Sequence, residues 1–207
     1  MTQSKIESLL AAAKSSSQGD TSINLAKKFF EDENEGRSFF LDTRERLFNI
    51  NEWNRNSSPT GYALFDESGR ETNSRDIEVG MFIRIALYGS GKWDWVRVSE
   101  IHDDPNEVVI TVKPSHDPTE QPPDRESISH FFHPDAENNF CLQRQEKMVA
   151  FYVIGLNERQ NTEFADGLIE SARNAAVANI GYYSGLQKAV WKEFCLNFLS
   201  TEEEKAD

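Results

Sequence analysis

Two cysteines in 207 residues leave no disulfide framework of the kind that staples small secreted folds. Cys141 stands between Phe140 and Leu142, and Cys195 between Phe194 and Leu196, which predicts two buried, reduced thiols. Long apolar runs are missing too. The longest, Val149 to Leu156, contains Gly155 and falls well short of the roughly 20 residues that cross a bilayer. Near the start, Leu9 to Ala13 is closed by Lys14, too brief an apolar centre for a secretory signal. The expectation is a cytoplasmic chain with no membrane span. Cations are scarce as well: 22 Lys and Arg face 35 Asp and Glu, a net charge of −13. Binding phosphate backbones takes a surplus of Lys and Arg, so nucleic acid is not an expected partner.

Aromatic residues are plentiful. The 14 Phe, 5 Tyr and 4 Trp provide for one sizeable core, and no short repeat points to a fibrous class. The pattern along the chain predicts a single α+β domain. Residues 1–20 read as a mobile arm ending in the Ser-rich stretch Ser15 to Asp20. Ser22 is placed to cap a helix carrying Ile23, Ala26, Phe29 and Phe30. A second helical pattern uses Phe40, Leu41, Leu47 and Phe48 and continues through Ile50 to Trp53, so residues 21–56 read as helical.

From residue 61 the period changes to two. Strands are expected at Tyr62–Phe65, Met81–Tyr88, Trp93–Ile101, Glu107–Lys113, Ser127–His133, Asn139–Gln145 and Lys147–Gly155. Their short connections favour sequential antiparallel pairing, giving a strongly curved sheet or partial barrel of six to seven strands over 61–155. Residues 162–199 read as helical again, with Thr162 as cap and a break at Gly181 to Gly185. Residues 200–207 form an acidic tail.

Few motifs carry chemistry. Gly89-Ser90-Gly91-Lys92 lacks both the first glycine and the hydroxyl of a phosphate loop, so it reads as a hairpin turn. All four histidines lie between positions 102 and 133. If Ser127–His133 runs back beside its predecessor, His133 returns to the end that holds His102, near Asp103, Asp104 and Asp135. Such a set would serve as a general base or a divalent-metal site, although turn residues in an acidic chain are the favoured account. No paired Cys/His spacing marks a metal centre, and no cofactor motif is present. Trp93, Trp95 and Arg97 alternate onto one face as a stacking or cation–π platform. The region 61–155 holds 9 basic and 17 acidic residues, which disfavours a nucleic-acid ligand there. The proline-rich loop Pro114 to Glu126 reads as a lid or as an unstructured connection.

The order of antiparallel strands followed by a last hairpin and a long apolar helix resembles the helix-grip, START-like fold over residues 61–199. Two departures stand out: no clear strand precedes the helical pair, and the last helix is split. The spacing of Trp53, Gly80, Gly89, Gly91 and Trp95 also resembles uncharacterised bacterial proteins. The helix-grip resemblance implies an apolar small-molecule ligand between sheet and C-terminal helix, and names no residue. On the sequence itself, Met148, Ala150, Tyr152 and Ile154 with Phe164 and Leu168 are expected to line such a pocket. Three functions follow as expectations. They are non-catalytic binding of an apolar small molecule, a scaffold whose N-terminal helices dock a protein partner, and a metal-assisted or acid–base enzyme using His102 and His133.

Overall fold

The computed structural model describes residues 4–16, 21–55, 61–86, 93–120, 128, 130, 132–159 and 190–201. Seven antiparallel strands form one open sheet: β1 (Ser22–Phe29), β2 (Gly61–Phe65), β3 (Phe82–Ala86), β4 (Trp93–Asp104), β5 (Glu107–Pro114), β6 (Glu137–Gln145) and β7 (Met148–Leu156). Their order is β1-β7-β6-β5-β4-β3-β2. Consecutive strands from β2 to β7 are neighbours, as short turns dictate. Only β1 crosses over, to pair with β7.

β1 corrects the sequence reading, which took Ser22 to Phe30 as a helix. Its burial alternates, with Asn24 and Ala26 inward and Ile23, Leu25, Lys27 and Phe29 outward. The apolar strand β7 needs a partner for its second row of backbone groups. β1 supplies one through an unbroken register from Ser22↔Gly155 to Phe29↔Met148. This is also the strand that the helix-grip resemblance seemed to lack.

The acidic stretch after β1 starts a helix rather than ending one. Asp32 accepts hydrogen bonds from the amides of Asn34 (2.7 Å) and Glu35 (3.0 Å), capping α2 (Glu33–Phe48). Glu33 and Glu35 in its first turn suit the helix dipole. Arg44 pairs with Asp103 of β4 and fastens α2 to the sheet. A 3-10 segment, Ile50–Arg55, follows and presents Trp53 to the core.

Helices cover both faces. On the inner face, α2, the 3-10 segment and a helix over 190–198 (α3) enclose the main core. Trp53 is central, with ring centroids 4.6 Å from Phe140, 5.5 Å from both Tyr62 and Phe194, and 6.4 Å from Phe198. Its indole N–H donates to the Leu47 carbonyl.

The outer face carries α1 (Lys5–Ser15), capped at Ser4. Residues 5–15 therefore form a docked helix, not part of a loose arm. Its Ile6, Leu9 and Ala13 bury Val109, Cys141, Ala150, Tyr152 and Ile154. A carboxylate remote in sequence holds its N-terminus. Glu107 of β5 accepts from the amides of Lys5 (2.7 Å) and Ile6 (3.3 Å) and from the Ser4 hydroxyl. No described helix is long and apolar enough to cross a membrane.

Candidate functional site

Residues that share a row across the sheet share a face. One inner row is Ser22, Gly155, Asn138 and Val112, and the next is Asn24, Val153, Phe140 and Ile110. Trp191 of α3 packs 5.6 Å from Phe140, while Phe198, further along α3, stacks 4.4 Å from Phe151. Trp191 thus marks the Gly155 end of the inner face. Phe194 touches both Trp191 (5.7 Å) and Tyr62 (5.9 Å), so Tyr62 of β2 belongs to the same locality.

Polar side chains gather at this end. Among the described residues, the amide nitrogen of Asn24 and the indole nitrogen of Trp191 have no hydrogen-bond partner, and neither does the Ser22 hydroxyl. Asn24 is 9% exposed and Trp191 8%. Asn138 donates to Glu158 (2.8 Å), whose carboxylate lies over Gly155, 2.1 Å from where a Cβ would stand. A Cβ at this position would push that carboxylate aside. The opposite end of the inner strands is apolar, with Val108, Leu142, Val149 and Phe151 all fully buried. Burying a polar group without a partner costs about 1–3 kcal/mol, so two orphaned donors in one locality call for an explanation.

The Tyr62 side of the same face holds a buried pair. Asp94 follows Tyr62 and Ile85 in one row and lies 3.9 Å from His130. His130 accepts the Phe132 amide at Nδ1 (2.9 Å), which leaves its proton on Nε2, toward Asp94. Burial pushes the His130 pKa below its ordinary 6.5, outweighing the pull of Asp94. The group is neutral when folded and takes a proton more readily when unfolded, so stability falls as pH drops below 6.5. Chemical denaturation at pH 7.5 and 5.5 should show wild type losing up to about 1.4 kcal/mol more per pH unit than His130→Gln. Equal losses in the two proteins would disprove this account.

The histidines expected to cooperate are kept apart. β5 pairs directly with β6, from Glu107↔Gln143 to Val112↔Asn138, leaving no place between them for the strand expected at Ser127–His133. The described residues of that stretch lie outside the seven strands. His133 instead precedes β6, at the Val112 end of β5, while His102 pairs with Val109 near the other end. His102 Nε2 lies 3.2 Å from Asp104 and 3.4 Å from Glu107; His133 Nδ1 lies 3.3 Å from Asp135. Among the described residues no three His, Cys, Asp or Glu side chains are grouped to hold a metal ion. Burial raises the Cys141 thiol well above its usual range and pushes Cys195 up to about 12, which keeps both in the inert thiol form.

The residues expected to bind a ligand divide between faces. Trp93, Trp95 and Arg97 do share one face, but it is the outer one, away from α3. Trp95 is buried against Phe65 and Phe82. Arg84 stacks between Phe65 (5.0 Å) and Trp93 (4.6 Å), and Arg97 lies 5.7 Å over Phe82 while donating to the Gly80 carbonyl. The protein's own guanidinium groups thus occupy faces of Phe65, Phe82 and Trp93. Tyr152 lies under α1 with Ala150 and Ile154, so the strand residues facing α3 are Val149, Phe151 and Val153. Phe164, Leu168, Thr162 and the 89–92 turn fall outside the described residues, as do residues 121–126 of the proline-rich loop. Ser22, Asn24 and Trp191 were missed. Isolated polar residues in apolar stretches were the available signal.

No protein-family model matches the chain, and no curated protein matches it in sequence. Solved structures resemble it at low identity. One is the extracellular domain of PknH from Mycobacterium tuberculosis, at 9% identity and a TM-score of 0.39, covering 74% of this chain and 57% of that one. The chain thus spans little more than half of that structure. A hypothetical protein from Helicobacter pylori matches at 11% identity and a TM-score of 0.45, covering 86% and 91% of the two chains. Ginseng major latex-like protein 151 from Panax ginseng matches at 13% and 0.33, covering 77% and 98%. The likeness is one of fold. It passes no activity, ligand or partner to this chain.

Proposed function

We propose that the protein is a non-catalytic binding module for a largely apolar small molecule that ends in a hydrogen-bond acceptor, such as a carboxylate or carbonyl. The observation that carries this reading is the pair of buried donors, Asn24 Nδ2 and Trp191 Nε1, without a partner among the described residues, at the Gly155 end of the inner face. A few placed polar groups within an apolar lining are what orient small ligands. The acceptor would meet these donors while the apolar body lies against Phe140, Phe194 and their neighbours. The separation of His102 from His133 and the neutral thiols favour binding over acid–base or nucleophilic chemistry.

Dodecanoic acid is a suitable probe, with buffer lacking it as the blank and isothermal titration as readout. Wild type should bind it, and Asn24→Ala or Trp191→Phe should each weaken binding about tenfold, the loss of roughly one hydrogen bond to a charged group. Full-strength binding by both folded variants would defeat the proposal, as would no binding by wild type.

A further inference from the structure

The two edges of the sheet are not alike. β2 is short, and Phe65 at its end bridges to Glu71, which partly closes that edge. β1 is longer, at 8 residues, and among the described residues pairs on one side only, with β7. Its outward side chains Ile23, Leu25 and Phe29 are 42%, 38% and 72% exposed. Lys27 stands in the same outward series, also exposed. No acidic residue occurs between Thr21 and Phe30, in a chain whose net charge is −13.

An open strand with alternating apolar side chains is a template for another strand. Charge selects the occupant. In the two antiparallel registers that match faces over most of β1, a second copy would set Lys27 against Leu25 or Ile23 of its mate. It would also bring together two like-charged strands on two acidic chains. Three partly exposed side chains also supply far less than the roughly 800 Å² per partner of a stable dimer. An acidic residue set opposite Lys27 forms an attractive pair there instead.

We propose that β1 is a docking edge for an extended segment of another protein, which joins the sheet as an eighth strand. Its apolar residues lie beside Ile23, Leu25 and Phe29, and an Asp or Glu faces Lys27. The site is separate from the inner-face donors and stands or falls without them.

The test uses the full chain and fluorescein-labelled nine-residue peptides. These alternate threonine with valine and carry one glutamate in the valine series, placed to meet Lys27 in either strand direction. One peptide should saturate at micromolar protein in fluorescence anisotropy. Leu25→Lys and Lys27→Glu, each checked for folding by circular dichroism, should weaken it at least tenfold, and a proline at the peptide's centre should abolish it. No binding by wild type overturns the proposal. So does unchanged binding by folded Leu25→Lys, or equal binding of the proline peptide. Sedimentation of wild type as a dimer that Leu25→Lys returns to monomer would assign the edge to a second copy and overturn it as well.

Discussion

Trp53→Ala is expected to destabilise the protein by about 3–5 kcal/mol, the range for deleting a large buried aromatic side chain. The indole is fully buried and touches rings from β2, β6 and α3 at once. Alanine would leave a void bounded by three elements that cannot all close on it, and would orphan the Leu47 carbonyl that the indole now satisfies. For a chain of this length, a loss of this size lowers the thermal midpoint by roughly 10 °C. Trp53→Phe retains much of the volume and should lose clearly less. A Trp53→Ala midpoint within 2 °C of wild type (a difference of about 1 kcal/mol) would show that the aromatic cluster does not join these elements energetically.

Glu107→Ala should free α1 without unfolding the sheet. The carboxylate is the acceptor for the Lys5 and Ile6 amides and the Ser4 hydroxyl, donors that a helix N-terminus cannot satisfy internally. Gln143 and His102 also lie against it, at 3.4 Å each. Losing a cap costs about 0.5–2 kcal/mol, which is enough to release one amphipathic helix while leaving the inner core intact. Cys141 reports on the event, because it is fully buried beneath α1, whereas Cys195 is buried in the inner core. Labelling of Cys141 by a thiol reagent should become at least tenfold faster and that of Cys195 should not change. Glu107→Gln keeps an oxygen acceptor and should fall between. Equal labelling of Cys141 in wild type and Glu107→Ala would refute the role given to this carboxylate.

Much of the sheet was legible because β4 to β7 are runs rich in apolar and β-branched residues bounded by short turns. Val108, Ile110 and Val112 face one side of β5, and short turns set the pairing order. β1 was not legible. Ile23, Ala26 and Phe29 match helical spacing, and what makes them a strand is the open edge of β7, more than a hundred residues away. The face assignment on β7 failed for a related reason. Val149, Phe151 and Val153 are as apolar as Ala150, Tyr152 and Ile154, since helices cover both sides. Alternation then separates two sets without saying which helix each meets. His102 and His133 were misplaced by one strand too many between β5 and β6, and an error of one strand reverses direction and exchanges the ends. Asn24 and Trp191 gave no sequence signal beyond their types, because an orphaned donor is recognised only once its neighbours are known.

The capping of α1 by Glu107 bears on how the chain is made. A ribosome releases α1 and β1 well before their partners, since the carboxylate that anchors one and the strand that pairs with the other are translated about a hundred residues later. Both must wait, unpaired, until those partners emerge, and such distant closures are slow steps. These two elements are therefore among the last of the domain to settle. During that interval the greasy strip of β1 is within reach of chaperones and of neighbouring nascent chains.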